Sequence, residues 1–214
     1  MFEHQFNRNY YLYWIQGENF FVNKINYQLP GIILWFTGLS GSGKTTVGNE
    51  ILRMLQKQKI STRMIDGDEI RKTRNKHLGF SEADIKCNNN LIADLCAEQR
   101  NRYNVLLVPI ISPYRQSRKD AKEKLSEQFY EIYFSASIDC VQQRDVKGLY
   151  EKSARKEINN LIGVAPTNPY EPPDNADLII NTEKETIQQS VECLYNFIID
   201  CLNTRTLSHD KRII

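Results

Sequence analysis

From Gly31 onward the chain alternates short apolar runs with amphipathic stretches. Ile32, Ile33, Leu34, Trp35 and Phe36 form a nearly continuous apolar run, the pattern of a strand buried on both faces. Through residues 44–57, Val47, Ile51, Met54 and Leu55 recur at helical spacing. Residues 62–65, 105–111, 130–134 and 178–180 read as four further strands. Residues 81–102, 115–127 and 185–202 read as helices, and another begins over residues 137–143. Ser81 followed three residues later by Asp84 resembles a capping box. Residues 160–176, rich in Pro, Gly and Asn, read as loop. Five strands alternating with helices predict an α/β three-layer sandwich around a central five-stranded parallel sheet.

Residues 1–30 do not follow this pattern. They hold nine of the chain's aromatic side chains, Phe2, Phe6, Tyr10, Tyr11, Tyr13, Trp14, Phe20, Phe21 and Tyr27, with poor helical or strand period. We read them as an aromatic N-terminal arm, either packing its rings on the main domain or serving as a dimer or partner surface. The main domain is expected over residues 31–203, followed by a frayed polar tail over 204–214.

Charge and composition remove several function classes. Lys plus Arg is 28 and Asp plus Glu is 26, a formal charge of +2, which gives no support to wholesale nucleic-acid binding. The longest apolar run, residues 105–111, is far below the ~20 residues of a spanning helix, so no membrane segment is expected. The polar N-terminus lacks the apolar core of a signal peptide, and a cytoplasmic location is the expectation. Cys87, Cys96, Cys140, Cys193 and Cys201 are odd in number and the three histidines lie far apart, so neither metal spacing nor a disulfide framework is visible.

The strongest chemical signal is Gly38-Leu39-Ser40-Gly41-Ser42-Gly43-Lys44-Thr45. It satisfies G-x-x-x-x-G-K-[ST] at every fixed position, between a buried strand and an amphipathic helix. The glycines let the backbone turn its N–H groups onto phosphate oxygens, and the following helix adds its positive end. Lys44 supplies a charge at the β/γ-phosphates and Thr45 a hydroxyl for Mg²⁺. ATP with Mg²⁺ is the expected pair.

Three segments are candidates for the acceptor side. Asp66 ends the second strand, at the edge where open α/β sheets bind ligands, and its carboxylate could orient a metal-bound water or take a proton from an attacking hydroxyl. Arg71 could hold an acceptor phosphate. The bland alternative is an Asp-Gly turn with Asp68 capping a helix and Arg71 solvated. Ser112, past the third strand, touches substrate or merely caps the helix after Pro113. Arg144 and Lys147 lie just before a glycine hinge at Gly148, as in a lid or as an ordinary solvated loop.

Together these segments resemble the adenylylsulfate (APS) kinase family. The resemblance is carried by residues 38–44, Asp66-Gly67-Asp68 with Arg71, Gly79-Phe80-Ser81, Ile111-Ser112-Pro113-Tyr114-Arg115, residues 144–150, Pro169-Tyr170-Glu171-Pro172 and Asp177-Leu178. It runs from about Gly31 to Thr182. It implies a P-loop kinase fold and transfer of the ATP γ-phosphate to the 3′-hydroxyl of adenylylsulfate. It implies Lys44, Asp66 and Ser112 as catalytic residues, with a phosphoserine at Ser112. Asp68, Arg71 and Asn88 would hold the acceptor, with Phe80 stacking on its adenine. Lys147 and Leu149 would belong to a closing lid, and a homodimer is implied.

The chain departs from the family pattern on one helix. Ile85 stands where a substrate-binding Arg is expected, and Asn90 and Leu91 where an Arg pair is expected. Losing a charge-assisted bond costs ~1.5–3 kcal/mol. Either Lys86, Arg74 or Lys76 compensates, or the acceptor differs, for example cytidine diphosphoramidate. A non-catalytic nucleotide-binding regulator is the alternative of another class, and an intact cradle and Asp66 argue against it.

Overall fold

A computed structural model of the chain describes residues 10–15, 18–23 and 30–210. Five parallel strands make the central sheet: β3 (Ile32–Thr37), β4 (Thr62–Met64), β5 (Val105–Pro109), β6 (Phe129–Ser135) and β7 (Leu178–Asn181), in the order β4-β5-β3-β6-β7. All residues of β3 are buried, as its unbroken apolar run requires. Alternate side chains serve opposite faces. Ile32, Leu34 and Phe36 pack with α1 (Lys44–Lys57) and α7 (Ile187–Asp210). Ile33 and Trp35 pack with α3 (Glu82–Gln99) and α4 (Arg115–Leu125). The expected three-layer sandwich is the observed fold.

Four short elements were not visible in the pattern. β1 (Tyr10–Ile15) and β2 (Glu18–Asn23) form an antiparallel hairpin within the aromatic arm, and β2 approaches α7. Phe2, Phe6 and Tyr27 lie outside the described residues. α2 (Gly67–Thr73) and α6 (Leu149–Ala154) are too short for a hydrophobic period to announce them; Asp66 caps α2, and α6 starts at Gly148 with the Asp145 carboxylate accepting from the N–H groups of Tyr150 and Glu151. α5 (Ile138–Arg144) lies between β6 and α6. The last helix reaches Asp210, well into the stretch expected to fray. Arg205, 5% exposed, ties it back by donating to the Pro30 carbonyl at 2.7 Å.

Candidate active site

The C-terminal ends of the parallel strands carry the candidate chemistry. Past β3, residues 38–43 wrap into a cradle. Gly38 has φ +147°, and a Cβ there would stand 2.6 Å from the Phe134 carbonyl oxygen, so only glycine lets the loop leave β3 this close to β6. Gly43 caps α1 with φ +87°, no side chain accepts from the first turn, and that turn holds no acidic residue. The helix therefore presents unpaired N–H groups and its positive end to an anion.

Lys44 lies inside this cradle. Its ammonium donates to the carbonyls of Gly38 (2.8 Å) and Leu39 (2.7 Å) and to Ser42 Oγ (3.1 Å). Burial is the main reason its pKa falls from 10.5 to about 7; Lys147 lowers it further, while Asp68 and Asp66 oppose the shift. An anion placed in the cradle would favour the charged ammonium and oppose that shift. Ser40 and Ser42 are buried in the same loop, and Leu39 packs with Val141, Tyr150 and Leu161. Tyr150 Oη donates to the Ser40 carbonyl at 2.8 Å, and Arg144 braces the cradle through Thr182, whose hydroxyl donates to the Ser42 carbonyl at 3.1 Å.

Asp66 caps α2: its Oδ1 accepts from the backbone N–H groups of Asp68 (2.8 Å) and Glu69 (3.3 Å). Asp68, read from the sequence as a possible cap, sits instead in the first turn. Gly67 is required beside it, because a Cβ there would meet Ile110 Cγ2 at 2.4 Å. The second oxygen, Asp66 Oδ2, accepts from Thr45 Oγ1 at 3.3 Å. A hydroxyl and a carboxylate side by side at the mouth of an anion cradle are the hard oxygen donors that Mg²⁺ takes alongside phosphates. The residues fit both a triphosphate and its metal.

Residues expected on the acceptor side gather around α2. Arg71 donates to the Gly79 carbonyl at 2.7 Å, and its guanidinium lies 4.7 Å from the centroid of the Phe80 ring. Phe80 stays 48% exposed. Asp68 pairs with Lys147, from the turn between α5 and α6, so the lid candidate reaches the acceptor side. Both partners are about half exposed, and such a pair is worth only ~0–1 kcal/mol, weak enough to open. Leu149 packs on the cluster around Leu39 and Val141.

Two expected site residues turn inward. Ser112 is 2% exposed with φ +42°, and its hydroxyl accepts from Trp35 Nε1 (3.1 Å) and Asn89 Nδ2 (3.0 Å). Its carbonyl accepts from Arg118 Nη1 at 2.7 Å and Thr37 Oγ1 at 3.1 Å. This corrects the expectation of a substrate-facing serine: the hydroxyl ties β3 to α3 beneath the site. Asn88 is likewise 5% exposed, and its Oδ1 accepts from Asn75 Nδ2 at 2.9 Å, so it locks α3 against the end of α2 rather than reaching the acceptor side. Ile85, in place of a cation, packs with Tyr114 and Ile162, while neighbouring Lys86 stands 5.5 Å from the Tyr114 ring centroid.

Sequence reasoning missed Arg118 and Asn168. Arg118, 2% exposed, donates to the carbonyls of Ser112 and Glu171 and pairs with Glu131 of β6. Burial pushes the Glu131 carboxyl up against the pull of that cation. Its spacing from Ala121 and Leu125 put Arg118 on the buried face, a signal that its charge obscured. Asn168 gave no signal in a loop of polar and breaker residues.

A family model described as adenylylsulphate kinase matches residues 30–181, most of the chain. The chain belongs to the adenylylsulphate kinase family. An adenylyl-sulfate kinase of Halothermothrix orenii is 39% identical over 171 residues, covering 78% of this chain and 89% of that protein. A probable adenylyl-sulfate kinase of Aeropyrum pernix is 36% identical, covering 78% and 92%. Among solved structures, the Mycobacterium tuberculosis APS kinase in complex with AMPPNP and APS superposes with a TM-score of 0.71 at 32% identity, over 81% of this chain and 98% of that one. No described helix is long and apolar enough to cross a membrane.

Proposed function

We propose that the protein is an ATP-dependent adenylylsulfate kinase, passing the γ-phosphoryl group to the acceptor's 3′-hydroxyl to give 3′-phosphoadenylylsulfate and ADP. The observation that carries the reading is the contact of Thr45 with Asp66, 3.3 Å apart, between the Lys44 cradle and the Phe80 side of the same sheet edge. The family to which the chain belongs supports the acceptor.

The backbone N–H groups of residues 38–45 and the Lys44 ammonium hold the β- and γ-phosphates. Thr45 would hold Mg²⁺, with Asp66 orienting a metal-bound water, and the ion would supply charge neutralisation on the phosphate oxygens. Asp66 has one oxygen fixed by α2 and the other beside Thr45 at the mouth of the cradle, where, not bound directly to the metal, it would orient the acceptor hydroxyl and receive its proton. Phe80, with one face covered by Arg71, offers the other to the acceptor's adenine. Lys147, released from Asp68, brings a second cation toward the transferring group. Transfer is direct, since in-line displacement needs no phosphorylated serine and Ser112 is engaged below the site.

The test is ADP release by purified protein with ATP and Mg²⁺ across a panel of acceptors. Turnover is expected with adenylylsulfate. ADP formed only with cytidine diphosphoramidate would overturn the acceptor and leave the kinase class standing; no ADP with any acceptor would overturn both.

A further inference from the structure

We propose that Asn168 is a positioning residue for the acceptor, fixing the backbone of Phe80 so that its exposed ring stands as a rigid stacking platform. The inference rests on the reading of Phe80 given above.

Asn168 lies in the loop between α6 and β7 and is 2% exposed. Its side-chain amide is fully engaged. Nδ2 donates to the Phe80 carbonyl at 2.9 Å and to the Asn160 carbonyl at 2.8 Å, and Oδ1 accepts from Tyr114 Oη at 3.4 Å. Its backbone closes the turn: the carbonyl accepts from Gly163 N and the N–H donates to the Ala165 carbonyl. One buried amide therefore joins the Gly79-Phe80-Ser81 turn, the segment after β5 and the 160–168 loop. No aliphatic side chain has this pairing, and a carboxylate lacks both donors.

Phe80 needs such a hold. Its ring is 48% exposed and belongs to none of the apolar clusters among the described residues, so packing does not fix it. Two contacts do. Arg71 stacks on the ring and grips the Gly79 carbonyl, while Asn168 grips the Phe80 carbonyl from the opposite segment. A flat ring held from its backbone with one face open is pre-organised for a purine. Binding then need not order a loose turn. The same amide couples the platform to the 160–168 loop, so the acceptor's base and that loop take position together.

The experiment is steady-state kinetics of the full chain with adenylylsulfate and ATP, on Asn168→Asp, Phe80→Ala and the double variant. Asn168→Asp keeps the side-chain volume and removes both donors. The acceptor KM is expected to rise roughly tenfold on loss of these bonds, with the ATP KM within about twofold of the parent. In the Phe80→Ala background the same change is expected to add almost nothing. Equal loss in both KM values, or a full effect in the absence of the Phe80 ring, would overturn the positioning role. Should Asn168→Asp not fold, as read by circular dichroism, Asn168→Ser keeps one donor and is held to the same split. Phe80→Ala with an unchanged acceptor KM would instead overturn the platform itself.

Discussion

Nucleotide binding should draw a proton onto Lys44. In the protein without nucleotide, burial and the neighbouring Lys147 hold this ammonium at a pKa of about 7, below its ordinary 10.5. At pH 8 the group is then about nine-tenths neutral, and at pH 6 about one-tenth neutral. A triphosphate in the cradle supplies the negative charge that favours the ammonium, so binding should take up about 0.9 proton at pH 8 and about 0.1 at pH 6 from this group. At pH 8 the nucleotide's own phosphates are already ionised and contribute little of the opposite sign. Calorimetric titration of ADP or a non-hydrolysable ATP analogue, in two buffers of unlike ionisation enthalpy, reads the proton count from the difference in heats. Lys44→Ala should abolish the difference at pH 8. Lys147→Ala should shrink it, because removing that cation raises the Lys44 pKa toward its ordinary value. Equal heats in the two buffers at pH 8, or a proton count that survives Lys44→Ala, would refute the argument that the cradle holds a depressed lysine.

The same shift has a consequence for stability. Between pH 7 and 10.5 the unfolded chain binds more protons at residue 44 than the folded one, so this group's contribution should make the nucleotide-free protein gain stability with rising pH in that window, measured by urea melts on parent and Lys44→Met. Lys44→Ala should lower turnover by about 100- to 1000-fold, since it removes the charge facing the transferring phosphoryl; parental steady-state rates would take Lys44 out of the chemistry. Ser112→Ala strands the Trp35 and Asn89 donors and should cost about 1–3 kcal/mol of stability while turnover stays within about tenfold of the parent; a folded, inactive variant would restore a covalent role. Ile85→Arg forces a cation into the cluster with Tyr114 and Ile162 and should lower the thermal midpoint without tightening adenylylsulfate binding; an unaltered midpoint with a lower acceptor KM would show that the side chain reaches solvent and substrate.

Local signals made much of this readable. The buried run of β3, the glycine loop after it and the amphipathic α1 are contiguous in the chain, so period and motif together fixed the cradle and its helix. Asp66 was legible for the same reason, as the last residue before a turn at a strand's carboxyl end. The short helices α2 and α6 were not, because at 7 and 6 residues they show less than two turns of any period. The hairpin in the arm was hidden because aromatics stand at consecutive sequence positions, Tyr10-Tyr11 and Phe20-Phe21, which erases the alternation that marks a half-buried strand.

Direction in space was the harder matter. Ser112, Asn88 and Asn168 are ordinary polar residues in sequence, and nothing in their neighbours tells whether each faces ligand or core. The sequence by itself determined that a phosphate-binding loop follows the first sheet strand and that an acidic residue ends the next. Only the tertiary structure decided that Ser112 and Asn88 point inward and that Asn168 grips Phe80. The reason is that Trp35 and Ser112 are separated by 77 residues, and Phe80 and Asn168 by 88, so their hydrogen bonds exist only once the sheet has been assembled. Burial then requires each polar atom to find whatever partner the packing brings, and no local pattern encodes that choice.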